Sequence, residues 1–309
     1  MRIGTRFKKS ARAVILFSIL CDFIGLPSFS HRSATSRCPP SIRPCRGDRR
    51  LLQLTFVSDG SPEKVPELAD RACQVWWAEV DRLASRCADL LSPAERARAA
   101  SLPVAAEGRR FTVGRALVRT VLSGLTGRSP GELRFSRLCS YCGGPHGKPR
   151  LRVPGSRVYF NVSHSGDLVV AAFSRSADVG VDVEERQPGF DVGGGARFAL
   201  SAAELSVLSS LPESRRGPAF FTYWARKEAV AKATGEGLRH GLRRIEVGHP
   251  EHPARLVAHP WRPAVTADLR LLDLDSGPSY ASALCLLGRV DTVCNRDAGT
   301  LLASFARMR

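Results

Sequence analysis

Val179-Gly-Val-Asp-Val-Glu184 alternates branched apolar residues with small or acidic ones at a period of two. That period belongs to a strand, because successive side chains leave a pleated backbone on opposite faces. Val179, Val181 and Val183 then enter a core, and Asp182 and Glu184 stand side by side on the other face. Carboxylates that close repel each other unless a positive charge sits between them. A hard divalent cation with oxygen ligands meets that need, and Mg2+ is the usual ion beside phosphates. The alternative is a strand with a solvated acidic face.

Downstream, the run from Pro218 to Thr234 reads as a helix closed by Gly235. Trp224, Glu228 and Lys232 are spaced by four and share one helix face. Glu228 is a candidate third metal ligand, and Lys232, one turn on, a candidate contact for a phosphate. An ordinary ion pair between the two would be worth only about 0.3–0.5 kcal/mol.

Upstream lies Phe160-Asn-Val-Ser-His-Ser-Gly166. A serine beside a histidine suggests a hydrolase, but neighbours on a strand face opposite ways, so Ser163 and His164 do not form a nucleophile–base pair. No G-x-S-x-G elbow surrounds Ser163 either. Hydroxyls, an imidazole and a glycine-ended turn suit phosphate binding; a core histidine is the plainer reading of His164. Gly147-Lys-Pro149 offers a turn with exposed backbone and a cation, and no G-x-x-x-x-G-K-[ST] or G-x-G-x-x-G competes for a nucleotide.

Around these segments the chain predicts an α+β (α/β) fold of two similar halves, 51–176 and 177–290, with 291–309 as a C-terminal tail. Leu51 to Val57 reads as a strand, and Val75, Trp76, Val80 and Leu83 fall at helical spacing. Ser92-Pro-Ala-Glu95 is a capping box that opens a helix, a longer helix spans about 106–125, and Ser201-Ala-Ala-Glu204 caps another. Val158–Phe160, Leu168–Phe173, Val179–Val183, Leu269–Leu274 and Tyr280–Leu287 read as strands, and Gly193-Gly-Gly195 as a flexible loop.

The 309 residues carry a net charge of +17, but residues 1–50 alone hold eleven Lys and Arg against two Asp and Glu. That stretch joins a basic start, an apolar run from Ala13 to Leu26 and a Ser/Pro/Arg-rich segment. It is read as a signal-like or disordered extension outside the fold, too short in its apolar part to span a membrane. A basic nucleic-acid-binding protein is the reading this charge invites. With the excess in one tail and aromatics at 7%, stacking platforms are scarce, so no nucleic-acid or membrane partner is expected. Nine scattered Cys do not form a secreted disulfide framework.

Taken together, the Gly-Lys-Pro turn, the Phe-Asn-x-Ser-His-Ser segment, the Gly-Val-Asp-Val-Glu strand and the Trp-x-x-Lys-Glu-Ala-x-x-Lys-x-x-Gly-x-Gly-Leu helix closely resemble the surfactin-type 4'-phosphopantetheinyl transferases, in the family's order, across about 51–287. The resemblance implies a cytoplasmic enzyme with a pseudo-dimeric fold, monomeric with an internal pseudo-two-fold. It would move the phosphopantetheine of coenzyme A to a serine of an apo acyl, aryl or peptidyl carrier protein and release 3',5'-ADP. It implies Mg2+ on Asp182, Glu184 and Glu228, Lys232 on the leaving group, Glu228 also as base, and coenzyme contacts from Arg98, Arg110, Gly147, Lys148, Ser163, His164 and Lys227. Where relatives carry Ser-Pro-x-Lys this chain has Glu95, which puts one phosphate contact in doubt, with Arg96 as a possible substitute. A metal-dependent hydrolase of coenzyme A pyrophosphate would use the same groups.

Cys139-Ser-Tyr-Cys142-Gly-Gly-Pro-His146 precedes the Gly-Lys-Pro turn. Two Cys two residues apart resemble half a zinc knuckle, and His146 adds a third donor, but no fourth is evident nearby. The alternative is a glycine-rich loop with thiols packed as small apolar groups.

Overall fold

The computed structural model describes residues 55–307 apart from 59, 61, 140, 238–240 and 260–267. The basic extension 1–50, the start of the expected first strand and Leu238 lie outside the described residues.

Two sheets pack face to face. The first is built from β1 (Thr55–Ser58), β2 (Ala72–Glu79), β5 (Tyr159–Ser165), β6 (Leu168–Ser174) and β12 (Thr292–Asp297), in the order β1-β12-β2-β6-β5. Its β1, β12 and β2 run parallel, and β2, β6 and β5 antiparallel. The second holds β7 (Ala177–Glu185), β10 (Leu269–Asp273) and β11 (Tyr280–Gly288), in the order β10-β11-β7, all antiparallel. Two short ribbons, β3 (Phe135–Ser136) with β4 (Arg150–Leu151) and β8 (Glu246–Val247) with β9 (Leu256–Ala258), flank them.

Helices cover the outer faces. Against the first sheet lie α1 (Val80–Cys87), α3 (Ala105–Thr126) and α7 (Gly299–Arg307), with α2 (Pro93–Ala100) packed on α3; on the second lies the long α6 (Glu213–Thr234), with α4 (Val192–Ala199) and α5 (Ala202–Ser210) packed on α6. Three apolar clusters result. One fills the space between α3 and the first sheet, one lies between the sheets, and one lies between the second sheet and α6. β7 faces two of these regions. Val179, Val181 and Val183 enter the inter-sheet core, while Gly180, Asp182 and Glu184 look towards α6 or the adjoining pocket.

Three expected features differ. Val75 and Trp76 lie on β2, not on a helix, and α1 begins only at Val80. β2 is an inner strand buried on both faces, with Trp76 and Ala78 on one side and Cys73 and Val75 on the other. An apolar run of that kind has no clean period of two, and spacing alone cannot distinguish it from a buried helix. Gly193 to Gly195 lie in helix α4, not in a loop. The Asp191 carboxylate caps that helix by accepting from the Gly194 N–H at 2.9 Å. A Cβ on Gly195 would meet the Phe220 ring at 2.7 Å, so the glycine permits a close approach rather than flexibility. Residues 291–309, set apart by sequence as a tail, supply β12 to the interior of the first sheet, and α7 places Leu301 and Leu302 in its core.

Candidate active site

Gly180 sets where α6 crosses β7. A Cβ there would lie 2.1 Å from the Ala229 carbonyl oxygen and 2.3 Å from the Ala233 nitrogen, so the helix backbone rests directly on the strand. Close approach at that point brings Glu228 and Lys232, which flank Ala229 and Ala233, over Asp182 two residues along the strand. Opposite Asp182 and Glu184 in the ladder stand Ala283 and Ala281, whose small side chains leave the acids room. The other end of α6 is held by aromatic contacts: Phe220 stacks on Phe190 at 5.3 Å, and Trp224 on Phe198 at 6.2 Å between centroids.

The edge strand β5 runs beside β7 without joining its sheet, and side chains make the join. Asn161 Oδ1 accepts from the Val181 N–H at 2.9 Å, and Ser165 Oγ accepts from the Glu185 N–H at 3.0 Å. Between them Ser163 donates its hydroxyl to Asp182 Oδ1 at 2.8 Å, and Ser165 donates to Glu184 Oε2 at 3.1 Å. The sequence reading missed Asn161 and Ser165 as site residues. Their signal was the polar alternation Asn161, Ser163, Ser165 along one strand face.

The acids are buried and densely coupled. Asp182 is 1% exposed and Glu228 2%. Lys232 donates to Asp182 Oδ1 at 2.6 Å and to Ser163 Oγ at 2.9 Å. The Trp224 indole donates to Glu184 Oε1 at 3.1 Å. Asp182 Oδ2 and Glu228 Oε1 are buried with no hydrogen-bond partner. Burial, then repulsion from Asp182, pushes the Glu228 carboxyl up to about 8 despite the pull of Lys232. Burial, Asp182 and Glu228 raise Glu184 well above the usual carboxylate range. Asp182 is also raised by burial, although Lys232 opposes this. Burial alone would lower Lys232, but Asp182, Glu228 and Glu184 outweigh it, so the ammonium keeps its proton. Two orphaned oxygens among clustered carboxylates form a hard donor set short of positive charge, which fits a divalent cation. The trio is wider than a closed metal cage, because its nearest oxygens are not all within 4.8 Å of one another. Lys232 supplies part of the compensating charge instead.

The acids, Lys232, Ser163, His164 and Trp224 line one pocket with Gly147 and Lys148. His164 is held down to about 3 by burial, with Arg110 and Lys232 adding to the effect, so it offers a neutral imidazole. Ser163 spends its proton on Asp182 rather than on His164, as expected from their opposite faces. The remaining sequence candidates separate. Lys148 lines the pocket with its stem, but its ammonium is spent on Asp178 and on the Val179 and Ala233 carbonyls at 2.7 and 3.0 Å. Lys227 points away, fully buried against Glu204 and donating to the Ala199 and Leu242 carbonyls at 2.9 and 3.2 Å. Arg110 is not among the lining residues and donates to the Gly166 carbonyl at 3.2 Å. Arg98 on α2 is not among the lining residues. Glu95 caps α2 and accepts from Arg119 at 2.8 Å, while Arg96 turns to the Leu91 carbonyl.

Residues 178–285, which carry all three acids and Lys232, match the model of the 4'-phosphopantetheinyl transferase superfamily. The chain is 34% identical over 216 residues to the 4'-phosphopantetheinyl transferase HetI of Nostoc sp. strain PCC 7120, covering 68% of this chain and 87% of that protein. It is 33% identical over 201 residues to the 4'-phosphopantetheinyl transferase psf-1 of Bacillus pumilus, covering 62% and 76%. Among solved structures, the Thermotoga maritima holo-[acyl-carrier-protein] synthase aligns with 36% of this chain and 63% of its own at 24% identity and a TM-score of 0.29, too loose a superposition to transfer residues. With a relative of this identity matched along most of its length, the chain belongs to the 4'-phosphopantetheinyl transferase family.

Proposed function

We propose that the protein transfers the 4'-phosphopantetheine arm of coenzyme A to a serine hydroxyl of an apo acyl, aryl or peptidyl carrier protein, releasing 3',5'-ADP. The observation that carries this reading is the buried Asp182–Glu184–Glu228 cluster, with two unpartnered oxygens beside the Lys232 ammonium in one pocket. Mg2+ on these three acids would neutralise charge on the pyrophosphate as the phosphoryl group moves.

The chain's own groups account for the rest. Lys232 is a compact cation, partly exposed to the pocket, that can meet the oxygen released with 3',5'-ADP, and its charge matters most when that oxygen gains charge. Neutral His164 offers a hydrogen bond to a phosphate oxygen from the β5 edge, and Ser163 would add one once a cation on Asp182 frees its hydroxyl. Glu228, with an unpartnered oxygen in the pocket, is the residue we assign to take the proton of the attacking serine directly or through water. Arg98 and Arg110 are the cations we assign to the far phosphate of the coenzyme, and the backbone of Gly147 and Lys148 to its adenine end. Lys227 is reassigned to support of α6, because its ammonium is enclosed by Glu204 and two carbonyls.

We draw the two halves of a pseudo-dimer at 51–176 and 177–290, with 291–309 folded back onto the first half, and take the monomer as the working unit. The join of β5 to β7 between two sheet layers supports that division. No described helix is long and apolar enough to cross a membrane. A coenzyme A substrate and six free cysteines among the described residues favour the cytoplasm. Incubation with coenzyme A, Mg2+ and a panel of apo-carriers, followed by intact-mass measurement, should show one phosphopantetheine added to at least one carrier. Asp182→Ala should lower that rate by orders of magnitude with the fold intact. Release of 3',5'-ADP with every carrier unmodified would mean a pyrophosphate hydrolase and would overturn the proposal.

A further inference from the structure

Cys139 and Cys142 take no part in the site above and His146 only lines its pocket, yet the three converge. Cys142 Sγ and His146 Nε2 are 2.8 Å apart. Taking one donor atom from each residue, all three lie within 4.8 Å of one another, the one such His/Cys/Asp/Glu cluster of three among the described residues. The backbone is wound to bring them together. The Gly143 N–H donates to the Cys139 carbonyl at 2.9 Å, the Cys139 N–H donates to the Gly144 carbonyl at 2.8 Å, and Gly143 takes φ +70°, so the chain turns back after Cys142. The Gly144 N–H donates to Cys142 Sγ at 3.4 Å, a contact that favours the thiolate. A Cβ on Gly144 would sit 3.0 Å from the His146 ring and 3.3 Å from Cys142 Sγ, so a side chain there would obstruct closure of the imidazole over the sulfur.

We infer that Cys139, Cys142 and His146 bind one Zn2+ as a three-residue site whose fourth position is open to water. Two thiolates and an imidazole are matched to zinc and mismatched to the Mg2+ suited to the acidic pocket. Zn–S and Zn–N bonds of about 2.3 and 2.0 Å in a tetrahedron set the donor atoms roughly 3.5–3.8 Å apart. The three donor atoms already lie within 4.8 Å of one another, and the Cys142–His146 pair has to part by only about 1 Å to admit the ion. Cys142 is exposed, which leaves one corner of the site to solvent. His146, Gly147 and Lys148 are also pocket-lining residues. The ion therefore ties down the loop that forms one wall of the pocket, a loop otherwise held there by the Gly147 N–H on the Arg137 carbonyl at 2.7 Å and by the Lys148 ammonium.

The test uses the full chain, purified under reducing conditions, supplied with Zn2+ and desalted, with metal content read by elemental mass spectrometry. In parallel the metal is exchanged for Co2+ and thiolate-to-metal charge-transfer absorption is recorded. About one zinc per chain is expected in the wild type, with loss in Cys142→Ser and weaker retention in His146→Ala. The Co2+ charge-transfer band should appear in the wild type and vanish in Cys142→Ser. Cys142 is exposed, so the variant should keep its circular dichroism spectrum, and the Co2+ band of the wild type gives an answer even if it does not. No zinc retained by the reduced wild type, or equal zinc in Cys142→Ser, would overturn the site. None of these measurements involves coenzyme A, so the outcome is independent of the transferase reading.

Discussion

Replacing Glu228 with glutamine should change how the stability of this protein depends on pH. In the folded chain the Glu228 carboxyl is moved from the ordinary 4.5 up to about 8, first by burial and then by Asp182, against the pull of Lys232. The folded state therefore keeps a proton that the unfolded chain has lost over this interval. Its contribution to stability is complete below about pH 4.5, falls as pH rises, and is gone above about pH 8. At 1.36 kcal/mol per unit the full gap corresponds to about 5 kcal/mol, a ceiling because Asp182, Glu184 and Lys232 titrate with it. About half of that is 2–3 kcal/mol, or roughly 5–10 °C in Tm for a protein of this size. Glutamine has no such proton to lose. In EDTA, thermal melts from about pH 5 to pH 9 should show the wild type losing Tm more steeply than Glu228→Gln, with the gap levelling off near pH 8. Mg2+ should restore the wild type most at the alkaline end, because the cation replaces that proton, and should do little for the variant. Parallel curves for the two proteins would refute the account of Glu228 as a buried, proton-holding ligand.

Three further outcomes follow from the same geometry. Lys232→Ala should lower turnover more than it weakens coenzyme A binding, with partial rescue by Lys232→Arg; unchanged turnover would reduce the residue to an ion-pair partner of Asp182. Gly180→Ala would drive a Cβ into the Ala229 carbonyl and the Ala233 nitrogen. It should cost at least about 1–3 kcal/mol in chemical denaturation and cut transfer by more than the unfolded fraction explains, as α6 shifts off the acids. Lys227→Ala should destabilise the fold by about 3–5 kcal/mol by stranding Glu204, while the folded fraction binds coenzyme A normally; weaker binding at unchanged Tm would restore Lys227 to the coenzyme site.

Local pattern was enough wherever neighbouring residues carry the information. The alternation of Val179 to Glu184, the four-residue spacing of Trp224, Glu228 and Lys232, and the caps at Ser92 and Ser201 are properties of a few consecutive positions, and they put the acids on a strand and a helix at the right faces. What those positions meet across space was decided by tertiary structure. Lys148 and Lys227 carry the same motif-borne ammonium as Lys232, yet only Lys232 reaches the acids, because Asp178 and Glu204, distant in sequence, capture the other two. β2 hid its strand character because burial on both faces erases the period of two, and the glycine run of α4 read as a loop because the Phe220 ring that requires Gly195 belongs to another helix. Pairing across the sheet placed β12 between β1 and β2, more than two hundred residues from either, and no window along the chain contains that choice. The sequence by itself determined which groups the chemistry has at its disposal. The close crossing at Gly180 and the buried ion pairs determined which of them share one pocket, since contact and desolvation are properties of the packed chain.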